Sequence, residues 1–275
     1  MNLILKINII IILSVFCYQA AALEPKIATT GNVGFSLMKF NYQEFKENGE
    51  SFNNEQGILP GLTLGLMKNF QPGYIATTFS YYLNEVDYEG ETQKGMPLET
   101  RTDEKLFDFS FQLGQQFKPT SKQIYQGYIG FGYHQWQRDI LPTSTVLGLF
   151  ETYQWWYGLL GVKSILPISQ QSKLMINLRL MYPLNPTIKI DFNGIFDEQQ
   201  FKLNEQWGKY FSLAWQYQYN DLISISVEPY LEYWDFAQSA SQTLTRRGQT
   251  VGSLFEPRSE MHNYGLTITL QRSFW

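Results

Sequence analysis

The sequence predicts an all-β protein, a transmembrane antiparallel up-and-down β-barrel of about ten strands, with eight to twelve compatible with the pattern. Three observations lead there. Aromatic residues make up 16% of the 275 and charged residues only 17%, against about a quarter charged in soluble domains, which suits a surface that faces lipid. From about residue 32 onward apolar side chains recur at every second position, the period of a strand with one face in an apolar medium. The connections between these segments alternate, one short and the next long.

The first segment reads as an export signal rather than part of the barrel. Lys6 gives it a basic start, Ile9 to Phe16 an apolar core, and Ala20, Ala21 and Ala22 a small-residue cleavage site. Residues 1–22 are therefore expected to be cleaved, leaving 23–275 as a single barrel domain. Cys17, the only cysteine, falls inside this leader, and Phe16 stands where a lipoprotein peptidase needs a small residue. Lipidation is thus not expected, and a mature chain without thiols excludes disulfides and cysteine metal sites. A formal charge of −4 gives no support for a nucleic-acid partner.

The ten expected strands lie at 32–46, 57–69, 74–88, 105–117, 124–138, 147–166, 173–183, 206–219, 222–236 and 260–275. The fourth shows the alternation plainly: Phe107, Phe109, Phe111 and Leu113 share one face, and Asp108, Ser110, Gln112 and Gly114 the other. The eighth sets Phe211, Leu213, Trp215 and Tyr217 against Ser212, Ala214 and Gln216. Tight turns follow the even strands, at 70–73, 118–123, 167–172 and 220–221, while longer polar connections follow the odd ones, at 47–56, 89–104, 139–146, 184–205 and 237–259. Pro60 lacks an amide hydrogen and is expected at a strand start or a bulge. A soluble sandwich or lipocalin-type barrel would also alternate, but strands of this length exceed the globular norm, and the second face is rich in Gly, Ser and Gln, as a wet lumen would be.

The closing segment YGLTITLQRSFW places Leu266, Ile268, Leu270 and Phe274 on one face, with Trp275 one residue out of register. It resembles the C-terminal signature by which Gram-negative outer-membrane proteins are recognised for barrel insertion. That resemblance implies the cell outer membrane as location, Phe274 and Trp275 as the insertion signal, and the barrel assembly machinery, outer-membrane lipid and lipopolysaccharide as partners. The first hairpin also looks like those of small, uncharacterised barrels of proteobacteria, which transfers no residue roles. Aromatics near the strand ends suit the headgroup boundary: Phe70, Tyr74, Phe117, Tyr125 and Tyr219 toward the turns, and Tyr88, Trp136, Tyr153, Trp155, Trp156, Trp207 and Trp234 toward the loops. Of these, Trp136 and Trp234 fall on the inner face and could plug the lumen.

Chemistry is sparsely signalled. His134 and His262 are the only histidines. Proteases of the omptin family share the strand number, but no Asp-x-Asp pair is present and neither histidine has an Asp two residues before it. The His-x-Ser arrangement of lipid A deacylases and outer-membrane phospholipase is also missing, so no enzyme is expected, and a rim hydrolase using His134 or His262 is the second alternative. On the inner face, Glu44, Asp108, His134, Arg138, Arg179, Glu228 and Glu232 form a candidate lumen polar network. A barrel of this size has little interior space, so these side chains are expected to fill it and pair. The acidic stretch 89–104 does not follow a known cation-binding loop and reads as a solvated external loop. No cofactor or metal is expected. The function expected is structural or surface interaction, with a largely filled lumen and external loops whose ligand the sequence does not name; the first alternative is a narrow passive pore or small-ligand transporter.

Overall fold

The computed structural model describes residues 29–274, apart from 71, 93–94 and 121–122. The leader, Cys17 and Trp275 lie outside the described residues. The described residues form fourteen strands: β1 (Thr29–Phe45), β2 (Ser51–Phe70), β3 (Gly73–Glu91), β4 (Pro97–Thr120), β5 (Gln123–Ile140), β6 (Leu149–Pro167), β7 (Ser172–Asp191), β8 (Gln199–Lys202), β9 (Asn204–Glu205), β10 (Gly208–Gln218), β11 (Ile223–Ala237), β12 (Gln242–Arg246), β13 (Gln249–Leu254) and β14 (Arg258–Phe274).

Ten of them, β1 to β7 with β10, β11 and β14, close into an antiparallel ring. Consecutive strands pair all the way round. The ring is sealed where β14 meets β1, from Thr29 opposite Phe274 to Phe45 opposite Arg258, and where β10 meets β7. Closure leaves no unpaired edge, which a lipid environment requires because it offers backbone groups no water. Among the described residues no helix is long and apolar enough to cross a membrane.

Alternation decides which side chain faces where. Val33, Phe35 and Leu37 on β1, Leu62, Leu64 and Leu66 on β2, and Leu266, Ile268, Leu270 and Phe274 on β14 all project outward and are exposed, forming an apolar band. Both described chain ends and the tight turns lie at one end of the ring. There Ser169 Oγ accepts from the amides of Gln171 and Ser172, and Asn220 Oδ1 from those of Leu222 and Ile223, so each turn satisfies its own backbone.

At the opposite end the strands run further than the alternation shows. The stretches 47–56 and 89–104 are not loops: β2 begins at Ser51, β3 continues to Glu91 and β4 starts at Pro97, leaving short turns at Gly49 and Gly95, whose φ angles are 83° and 74°. Likewise β7 reaches Asp191, and β8, β9 and the β12–β13 hairpin form an extension inside the stretches expected to be loop. The physical reason is that above the apolar band the outward face of the wall turns polar, with Glu85, Asp87, Arg101 and Asp103 exposed, so hydrogen-bonded pairing continues where the lipid-facing alternation has ended. Pro60 is likewise mid-strand rather than at a start. It is tolerated because β2–β3 pairing lapses between Gln56 and Gly61, where the Asn84 side chain donates to Ile58 O at 2.8 Å instead.

Inside, large rings lie opposite glycines. Tyr157 faces Gly132 and Tyr230 faces Gly265 in register, and a Cβ at either glycine would collide with the ring. The same pairing recurs at Gly61 with Tyr82, Gly114 with Tyr74, and Gly161 with Tyr128. Each ring therefore covers bare backbone on the neighbouring strand.

Candidate functional site in the barrel lumen

The inward face divides into three levels. At the loop end, Arg138 of β5 is fully buried and bonded to Glu55 at 2.6 Å, Glu151 at 2.6 Å and Glu44 at 3.3 Å, with Tyr153 Oη at 3.2 Å. Its guanidinium also lies 4.4 Å from the Tyr42 ring centroid, a cation–π contact. Glu104 accepts from the Trp136 indole, and Tyr153 donates to Glu256 at 2.6 Å. Five buried carboxylates thus surround one guanidinium.

This cluster lies above the apolar band, since the wall residues beside it that face outward are Lys105, Gln137, Thr152 and Lys189, paired across β4 to β7. Burial, reinforced by Glu44 and Glu151, holds the Glu256 carboxyl well above the usual carboxylate range. Burial also raises Glu151, to about 7, despite Arg138. The Glu104 carboxyl is raised by burial and by Glu55 beside it. One cation cannot neutralise so many buried acids, so part of the cluster carries protons at neutral pH.

Beneath it lies an aromatic layer. Trp136 stacks on Tyr153 at 4.5 Å and meets Tyr42 edge-on at 4.7 Å. Trp155 packs against Phe236 at 4.9 Å and Trp234 at 5.2 Å. These rings, with Phe40 and Phe201, are no more than 2% exposed. Trp136, Tyr153, Trp155 and Trp234, together with Tyr88, therefore do not join an interfacial girdle; their inward parity buries them. Trp156, Trp207, Phe70, Phe117 and Tyr219 do face outward.

Below this layer, toward the turn end, the lumen is hollow. A cavity of about 730 Å³ is lined by Asp108, His134, Arg179, Glu228 and Glu232 at its closed end and reaches the exposed turn residues Ser169, Gln170 and Gln171. The expectation of a largely filled interior thus describes only the loop-end half. The wall there is kept thin by the rings laid on glycine, and Ser, Thr and Gln side chains are too short to meet across it.

The seven residues expected to form one polar network separate accordingly. Glu44 and Arg138 belong to the loop-end cluster, and the other five line the cavity. In the cavity, His134 Nδ1 lies 3.2 Å from Asp108 Oδ2, and Tyr157 Oη donates to the same carboxylate at 3.0 Å. The imidazole stacks on Trp155 at 4.4 Å, and its Nε2 has no hydrogen-bond partner among the described residues. Glu228 accepts from Tyr210 at 3.3 Å. His262 instead faces outward on β14, with Nε2 3.0 Å from Glu260. Among the described residues neither imidazole bonds a serine or threonine hydroxyl.

Sequence reasoning missed Glu55, Glu104, Glu151 and Glu256. Glu55 and Glu104 sat in stretches read as loop, yet parity carried the signal: Asn53, Glu55 and Leu59 are buried together, as are Thr102, Glu104 and Leu106. Glu256 precedes β14 and carried no periodic signal.

No family model and no curated protein sequence matches the chain. The likeness is in three dimensions. The outer membrane protease OmpT from Escherichia coli superposes with a TM-score of 0.62 at 10% identity, over 93% of this chain and 100% of that one. The chain is an outer-membrane β-barrel. It resides in the outer membrane, so the turn end is the periplasmic end and the loop end is external. The outer membrane protein OprG from Pseudomonas aeruginosa also matches, with a TM-score of 0.44 at 11% identity over 91% and 97% of the two chains. The Pseudomonas putida toluene transporter TodX matches with a TM-score of 0.35 at 9% identity over 92% and 91%. At 10% identity the likeness to OmpT concerns the fold alone.

Proposed function

We propose that this outer-membrane barrel is a non-conducting interaction protein. Its lumen is closed at the external end, and its external extension meets partners. The observation that carries the reading is the buried layer of Trp136, Tyr153, Trp155 and Trp234 capped by the Arg138 cluster, which separates the periplasmic cavity from the outside. An external role is supported by apolar side chains on the extension and loop tips, Met96, Leu147 and Val251, which are more exposed there than solvation alone favours. On this reading the protein is made in a Gram-negative bacterium with residues 1–22 as its signal. The barrel assembly machinery inserts it through the Phe274–Trp275 end, and lipopolysaccharide contacts its outer face. We read neither histidine as catalytic: His134 is covered by Trp155, and the His262–Glu260 pair stands on the outer wall with no serine or threonine hydroxyl bonded to it among the described residues.

Planar-bilayer recording on the purified barrel tests this. The expected result is the lack of steady conductance; large, steady channels refute the closed-lumen reading.

A further inference from the structure

The closed end of the periplasmic cavity holds Arg179, Glu228 and Glu232, and among the described residues these three form no ion pair with one another. Arg179 on β7, Tyr210 on β10 and Glu232 on β11 stand in one row, Tyr210 being paired with Arg179 on one side and Glu232 on the other. Their backbones are separated by two inter-strand spacings, about 10 Å in all. The Arg179 guanidinium lies 4.8 Å from the Tyr210 centroid, and its Nε is shut away without a hydrogen-bond acceptor. Among the described residues no carboxylate forms an ion pair with it; its nearest electrostatic neighbours are Tyr128, Tyr157 and Tyr210, with Glu232 acting on it from further along the row. Glu228, four residues before Glu232 on the same face, receives the Tyr210 hydroxyl. Asp108 is occupied by His134 and Tyr157.

Arg179, Glu228 and Glu232 are half-buried and face one cavity without an ion pair among them, so each gives up part of its hydration for little direct compensation. A bound molecule could supply counter-charges of both signs. A simple cation would leave Arg179 unmatched, and a simple anion would be repelled by Glu228, Glu232 and Asp108. A molecule with an ammonium and a carboxylate a few ångströms apart satisfies both sides, and the cavity, at about 730 Å³, is within the range of small-molecule sites. We propose that the periplasmic cavity binds a small zwitterion, a free amino acid or a dipeptide, with its carboxylate on Arg179 and its ammonium on Glu232 and Glu228.

Calorimetric titration of the refolded barrel with glycine, L-alanine and L-alanyl-L-alanine tests the proposal, alongside N-acetylalanine and alanine amide, which each lack one charge. The zwitterions should bind saturably, and each blocked alanine should bind at least about tenfold more weakly than alanine. Arg179→Gln should abolish the preference for alanine over its amide, and Glu232→Gln should shrink the preference for alanine over its N-acetyl form. The comparison of free and blocked ligands needs only the wild-type chain, so a variant that does not fold leaves the test intact. No saturable binding of any zwitterion up to about 50 mM, or equal affinity for free and blocked forms, overturns the proposal. Either result is independent of the conductance experiment, because binding from the periplasmic side needs no path through the aromatic layer.

Discussion

Replacing Arg138 by methionine probes the external half most directly. The side chain keeps an unbranched apolar stem, but five buried carboxylates lose their one guanidinium, including the contacts of 2.6 Å to Glu55 and Glu151. Removing one partner of a buried ion pair costs about 3–5 kcal/mol, because the remaining charge is left without compensation. The acids can escape this cost only by taking up protons, so the penalty should depend on pH. Urea unfolding, followed by the heat-modifiable electrophoretic shift of barrels refolded in detergent, should show the full loss at about pH 8 and a clearly smaller one at about pH 5. Adding Glu55→Gln and Glu151→Gln should recover much of the stability at the higher pH, since the uncompensated charge is then gone. Equal losses at both pH values, or an unchanged urea midpoint at the higher one, would refute the idea that Arg138 holds the cluster together by charge.

Four further outcomes are expected. In the wild type, Glu151 rises from 4.5 to about 7 on folding and Glu256 rises well above its usual range, so the folded state favours their protonated forms. The contribution of Glu151 is therefore complete below about pH 4.5 and falls as pH climbs through about 7, and that of Glu256 also falls as pH rises, a decline that urea midpoints across this window should record. Truncating Trp136, Trp155 and Trp234 together to alanine should create steady conductance in planar bilayers where the wild type has none; a silent triple variant that still folds would mean the seal lies elsewhere. Asp197 accepts from Thr245 at 2.7 Å and from the amides of Gly248 and Arg247, which depresses its pKa, so its hold on the β12–β13 turn is present above 3.8 and lost as pH falls through the lower folded value. Asp197→Ala should speed amide exchange at Arg247 and Gly248 at neutral pH while leaving the ring unchanged. Single cysteines at Asn193 and Gln242 should react with an impermeant maleimide on intact cells, whereas one at Asp221 should react only once the outer membrane is breached; the opposite pattern would reverse the orientation.

Much of the barrel could be read from the chain because a bilayer imposes a two-residue period on anything that crosses it as strands. Phe107 to Leu113 and Leu266 to Leu270 face lipid because every second residue must, and the tight turns at 167–172 and 220–221 follow from their own Ser and Asn chemistry. The reading weakened where the medium changed. Beyond the apolar band the outward positions of β3 and β4 become Glu85, Asp87, Arg101 and Asp103, so the period vanishes although the ladder does not. That is why Glu104 read as a loop charge and not as part of a buried cluster. The division of the lumen was illegible for a different reason: it depends on cross-strand register. Tyr157 lies flat because Gly132, not a bulkier residue, is opposite, and no pattern along one strand announces its partner on the next.

The glycines beneath the rings have a consequence for how this interior could change. At Gly265 or Gly132 an added methyl group would not point into the cavity, yet it would lift Tyr230 or Tyr157 off the wall and swing a phenol toward the barrel axis. The bore of the periplasmic half is thus governed from the wall, by residues that a bound molecule need never touch. A substitution at Gly265 would narrow the bore by displacing Tyr230, whereas one at Gly132 would also press on the Phe109 carbonyl and draw the Tyr157 hydroxyl off Asp108.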